Sequence, residues 1–104
     1  MAPVQKRFKI RLSAVDIIDV MFIKDNMTLI KFALNYRGFI GDEWHEIYRV
    51  DNFHGFLHEQ KFWISPEPIP LDCIGDLMDI MTDYLIVIKE NYKRYRGYYE
   101  NKAT

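Results

Sequence analysis

The chain has 104 residues, 49% of them hydrophobic and 28% charged, with a formal net charge of −1. That length predicts a single domain, residues 1–104, able to bury about 65% of its unfolded surface, and the composition excludes wholesale disorder. A near-neutral balance excludes a global field that would draw the protein to nucleic acid or to an anionic membrane.

Any basic surface must then be local. Lys6, Arg7, Lys9 and Arg11 open the chain, and Lys89, Lys93, Arg94, Arg96 and Lys102 close it. Seven Tyr, seven Phe and two Trp are many rings for this length, enough for a compact core, a sticky surface or both. The single cysteine, Cys73, forms no internal disulfide and reads as a small apolar filler, which fits a reducing cytoplasm. No apolar run approaches the ~20 residues of a membrane span, and the start lacks a signal core. The expectation is a cytoplasmic protein with no membrane partner.

Gln5 to Ser13 alternates, with Phe8, Ile10 and Leu12 on one side and Arg7, Lys9 and Arg11 on the other. This is a half-buried strand near a sheet edge, where cations discourage edge-to-edge pairing. Ile17 to Lys24 fits two patterns. Ser13 and Asp16 suit a helix cap, while the β-branched content and the following Asp25-Asn26 suit a hairpin. The hairpin is the stronger reading, because Met27 to Tyr36 is again strand-like. Gly38 to Asp42 reads as the next turn.

Glu43 to Val50 and Phe56 to Ile64 flank the segment Asp51-Asn52-Phe53-His54-Gly55. Pairing symmetric about Phe53 sets Trp44 opposite Phe62, Glu46 opposite Gln60, Tyr48 opposite His58 and Val50 opposite Phe56. A one-residue slip would carry His58 to the other face. Pro66, Pro68 and Pro70 end the sheet. Then Ile74, Leu77, Met78, Met81, Leu85, Ile88, Tyr92 and Tyr95 keep helical spacing over about six turns. Gly75 suggests a close approach to the sheet, and Gly97 a C-terminal stop. The predicted fold is α+β: a curled antiparallel sheet of four or five strands with one long C-terminal helix packed on it.

The densest polar cluster is Arg49, Asp51, Asn52, His54, His58 and Glu59, at one hairpin tip. Imidazoles move protons near neutral pH, arginine stabilises phosphate charge, and a carboxylate orients an imidazole. His54, His58 and Arg49 are thus the parts of a metal-independent ribonuclease, with Asp51 beside them and Tyr48 as a reserve proton donor. The same residues also suit an inert turn, since Asp51, Asn52 and Gly55 are common turn formers. Asp51, His54 and His58 match no zinc spacing, so no metal and no cofactor is assigned.

The tail interleaves Lys93, Arg94 and Arg96 with Tyr95, Tyr98 and Tyr99. Such a mix grips phosphates and stacks on bases. Its plainer reading is a buried tyrosine stripe with cations at the carbonyl end of the helix. A 25-residue helix of about 37 Å would overhang strands of about 20–27 Å and expose tyrosines for a protein contact. Phosphate-binding glycine loops, Gly-x-Ser-x-Gly elbows and paired cysteines are absent from the sequence.

The segment from Trp44 to His58 resembles the "R-Y-D-x-A-H-G-x-P-H-R-D" motif of small uncharacterised prokaryotic proteins. It is similar, more distantly, to the "R-Y-D-N…H-x-H" segment of TumE-type toxins. Arg49, Asp51, His54, Gly55 and His58 match; Val50 stands in place of the motif tyrosine, Leu57 of the proline, and Glu59-Gln60 of the trailing residues. The resemblance implies a toxin-like protein acting on RNA and paired with a cognate antitoxin. The helix aromatics also allow a homodimer, and a non-catalytic interaction module using them is the alternative.

Overall fold

The structure, a computed structural model, describes residues 2–102. Six strands form one antiparallel sheet in chain order: β1 (Val4–Ser13), β2 (Asp16–Asp25), β3 (Thr28–Ile40), β4 (Glu43–Asp51), β5 (His58–Lys61) and β6 (Ile69–Pro70). One helix, α1 (Leu77–Asn101), packs on it, mainly against β3 and β4. The α+β expectation holds, with more strands than the four or five expected. Among the described residues no helix is long and apolar enough to cross a membrane.

The ambiguous segment after Ser13 is a strand. Its hairpin turns at Asn26-Met27, one residue later than expected, with φ of 50° and 69°. Two successive positive φ values make the mirror-type two-residue turn that matches the twist of paired strands. Gly41-Asp42 repeats this geometry between β3 and β4, with φ of 58° and 69°. β3 therefore runs straight through Gly38, which is no turn residue. A Cβ there would lie 2.8 Å from Ile47 Cδ1 and 3.1 Å from Arg96 Nη1, so the missing side chain makes room for the helix end.

Alternation gives the sheet two faces. Ile18, Val20, Leu34, Tyr36, Tyr48 and Val50 point toward α1 and meet Ile80, Met81 and Ile88 in the core. Ile88 is fully buried, whereas Leu85 is only half-buried. Ile74 is not part of the helical stripe: it is 96% exposed and precedes the helix, whose cap is Asp76 accepting from Asp79 N at 3.3 Å. Gly75 has φ of 134° and open space around it, so it marks the loop and no close approach.

α1 continues through Gly97 to Asn101, and its last turn carries no basic residue. The expected overhang does not occur, because the strands are longer than supposed. At 13 and 9 residues, β3 and β4, the strands on which α1 mainly packs, are long enough to lie under its last turns. There Tyr99 Oη sits 3.0 Å from His45 Nδ1, and Lys102 Nζ donates to Phe62 O at 3.3 Å. The prolines do not wholly end the sheet either. Ile69-Pro70 pairs with β5 at the margin, where a residue without an N–H is tolerated. Cys73 is exposed, its Sγ 3.9 Å from Tyr84 Oη, so it fills no apolar gap.

Candidate functional site

The β4–β5 register is not symmetric about Phe53. Tyr48 pairs with Lys61, Arg49 with Gln60, Val50 with Glu59 and Asp51 with His58. β5 is correspondingly short, and the expected partners Trp44 and Phe62 do not face each other. The cause lies in the connection. Asn52 acts as a piece of strand: its Oδ1 accepts from Phe32 N at 2.9 Å and its Nδ2 donates to Ile30 O at 3.1 Å. Asp51 Oδ1 accepts from Phe53 N at 2.9 Å, a local turn bond. These bonds hold the loop against β3 and move the return strand by three positions. An odd shift reverses the face of every β5 side chain.

His58 thereby lands beside Asp51, on the face away from α1. The two are 3% and 0% exposed. Asp51 Oδ2 accepts from Arg49 Nε at 2.6 Å and faces His58 Nε2 at 3.4 Å. A buried carboxylate demands such partners, and here two side chains and one backbone N–H supply them. His58 Nδ1 lies 3.2 Å from Phe56 O, which can only accept, so that nitrogen carries a proton. Both ring nitrogens of His58 are therefore occupied within the fold. His54 is exposed at the tip, its ring 5.9 Å from that of His58, with no hydrogen bond among the described residues.

The structure thus brings Arg49, Asp51, His54 and His58 together and leaves Tyr48 out. Tyr48 points to the opposite face, donates to Glu59 Oε2 at 2.6 Å, and lies 5.2 Å from the Tyr95 ring. Burial, then the bond to Glu59, pushes its pKa far above the ordinary tyrosine value, so it gives up no proton near neutrality. Among the described residues no three His, Cys, Asp or Glu side chains converge as a metal would require.

The tail residues divide as well. Tyr95 stacks on Trp63 at 4.9 Å, and Tyr98 packs on the same indole at 5.6 Å. Arg96 donates to Asp16, Phe39 O and Val15 O. Burial alone would lower its pKa, but the bond to Asp16 and that carboxylate's charge outweigh this and raise it. Tyr95, Arg96 and Tyr99 are thus parts of the fold. Lys93, Arg94 and Tyr98 are exposed, whereas Tyr95, Arg96 and Tyr99 are half-buried.

A second feature was not foreseen from the sequence. A groove of about 430 Å³ is lined by Arg7, Lys9, Asp19, Met21, Ala33, Asn35 and Arg49, all on the face away from α1, together with Phe8 and Val20. Arg49 joins it to the tip cluster. Arg37 and Lys31 share this face, Arg37 lying 5.3 Å from the Trp44 ring and Lys31 5.6 Å from that of Phe53. Asn35 Nδ2 donates to Glu46, while its buried Oδ1 has no partner. The alternating Arg7-x-Lys9-x-Arg11 pattern was the available signal, but which residues shared its face depended on register. In comparison with known proteins, the chain matches no family model, no curated protein and no solved structure.

Proposed function

We propose that the protein is a toxin-like, cytoplasmic RNA-binding protein that cleaves single-stranded RNA without a metal and is held in check by a cognate antitoxin. What carries the reading is the one-sided arrangement of the sheet. Arg7, Lys9 and Arg49 line one groove on the face away from the helix, and Arg49 also belongs to the histidine cluster. Cations spaced along a groove with rings nearby suit a single strand, whose phosphates and bases need both.

On this reading the phosphates meet Arg7, Lys9 and Arg49. The accessible imidazole of His54 takes the 2′-hydroxyl proton, and the 2′-oxygen attacks phosphorus. The 5′-oxygen leaves with a proton from water. Arg49, aligned by Asp51, neutralises the charge that builds on the phosphorane. His58 positions Asp51 and the tip, and does not itself transfer the proton.

The test is binding of a labelled single-stranded RNA followed by anisotropy over a salt series. Three phosphate contacts predict that log K falls against log salt with a slope of about −2, reduced by about 0.7 in Lys9→Ala. Cleavage of the same oligonucleotide should persist in EDTA. RNA affinity that is absent, or indifferent to salt and to Lys9, would overturn the reading.

A further inference from the structure

The two margins of the sheet are unlike. At one, β6 is two residues long and ends in proline. At the other, β1 is a ten-residue strand with no neighbour among the described residues along its outer edge. A long free edge leaves a row of main-chain donors and acceptors available to another strand.

Its side chains are sorted by face. Arg7, Lys9 and Arg11 point away from the helix, and Val4, Phe8 and Ile10 point toward the helix side. α1 packs on β3 and β4, which leaves Val4 56% and Phe8 48% exposed. Among the described residues none of the three cations pairs with a carboxylate. The edge therefore presents a row of unneutralised charge on one side and uncovered apolar surface on the other.

A second copy of this chain fits poorly. An antiparallel pairing of β1 with itself along most of its length that keeps the apolar sides together sets cations of the Arg7, Lys9 and Arg11 row opposite one another, and like charges directly opposite are destabilising. An alternating acidic and apolar strand reverses both signs of the problem. Its carboxylates meet the three cations while its apolar residues cover Val4, Phe8 and Ile10. Lys6 alone interrupts the apolar side, and its aliphatic stem can lie along a neighbour.

We propose that the free edge of β1 is a docking site for an extended protein segment that alternates carboxylate and apolar side chains, added as a seventh strand of the sheet. Main-chain bonds supply the affinity and the alternation supplies the specificity. The inference does not require RNA cleavage, but it draws on Arg7 and Lys9, which the RNA reading also uses, so a docked segment and RNA would compete for them.

The probe is a capped, labelled peptide of about nine residues alternating glutamate and valine. Three comparison peptides accompany it: the same composition in two blocks, an alternating lysine–valine peptide, and the acidic peptide N-methylated at every second residue. Binding is read by anisotropy and docking by amide hydrogen exchange of β1. The acidic alternating peptide should bind and slow exchange in β1. The block and N-methylated peptides should bind at least about tenfold more weakly, having lost the pairing, and the lysine peptide should not bind. Arg7→Glu/Lys9→Glu, confirmed folded by its melting curve, should reverse the preference toward the lysine peptide. Equal binding of the block peptide would reduce the effect to bulk charge and overturn the proposal. So would protection lying elsewhere than β1, or no binding of the acidic alternating peptide.

Discussion

The Arg96 guanidinium lies 3.0 Å from the Asp16 carboxylate, tying the last turns of α1 to the start of β2 across 80 residues of chain. The same carboxylate accepts from Tyr36 Oη and from Ser13 Oγ, each at 2.6 Å. Asp16 is buried, so every donor removed leaves charge without compensation.

Arg96→Ala should therefore cost about 3 kcal/mol in urea unfolding. Arg96→Lys should recover part of it, since a single ammonium cannot reproduce the fork that spans Asp16 and Phe39 O. RNA affinity should be unchanged in both. A loss of RNA affinity at unchanged stability would mean that Arg96 is a ligand contact and no anchor.

Two glycines should respond in opposite directions. Gly38→Ala forces Ile47 and Arg96 aside and should destabilise by about 1–3 kcal/mol, as overpacking does. Gly97 sits in the helix with nothing within 4 Å of an added Cβ. Gly97→Ala should stabilise by about 0.5–1 kcal/mol through helix propensity. Thermal melts of the two variants decide the matter; a destabilised Gly97→Ala would show that the helix ends earlier.

Alkaline pH should weaken the fold. Burial, followed by bonds to Asp16 and Glu59 respectively, raises the Tyr36 and Tyr48 pKa values above the ordinary 10.0. A raised folded pKa means that the unfolded chain ionises first. The stability is therefore complete below pH 10 and is lost as pH rises beyond it. The melting temperature should fall above about pH 10, and tyrosinate absorbance should appear together with unfolding. Tyrosinate from all seven tyrosines in a still-folded protein would contradict this.

The two tip histidines should separate by phenotype. His54 is exposed, so His54→Ala should leave the melting curve in place while lowering RNA cleavage by about 10²–10⁴-fold. His58 is buried against Asp51, so His58→Ala should destabilise by about 1–3 kcal/mol through the partner it deprives. Full cleavage by a folded His54→Ala protein would remove the proton-transfer role assigned to that residue.

The sequence by itself determined the elements whose periods are local. Arg7-x-Lys9-x-Arg11 against Phe8-x-Ile10-x-Leu12 is enough to define a two-faced strand. The spacing from Leu77 through Ile88 to Tyr95 is enough to define the helix, because strand and helix periods follow from backbone geometry alone. The grouping of Arg49, Asp51, His54 and His58 at one tip was also legible, being close in the chain. What only the tertiary structure decided was which way each points. The β4–β5 register depends on Asn52 bonding to β3 residues about twenty positions earlier, and that bond sends His58 to Asp51 and away from Tyr48. The fate of Arg96 depends on a buried carboxylate in β2, and that of Tyr95 on an indole in the turn after β5. Patterns within one strand or helix are set by neighbours a few residues away. Register and side-chain commitment are set by contacts whose sequence separation no local pattern records.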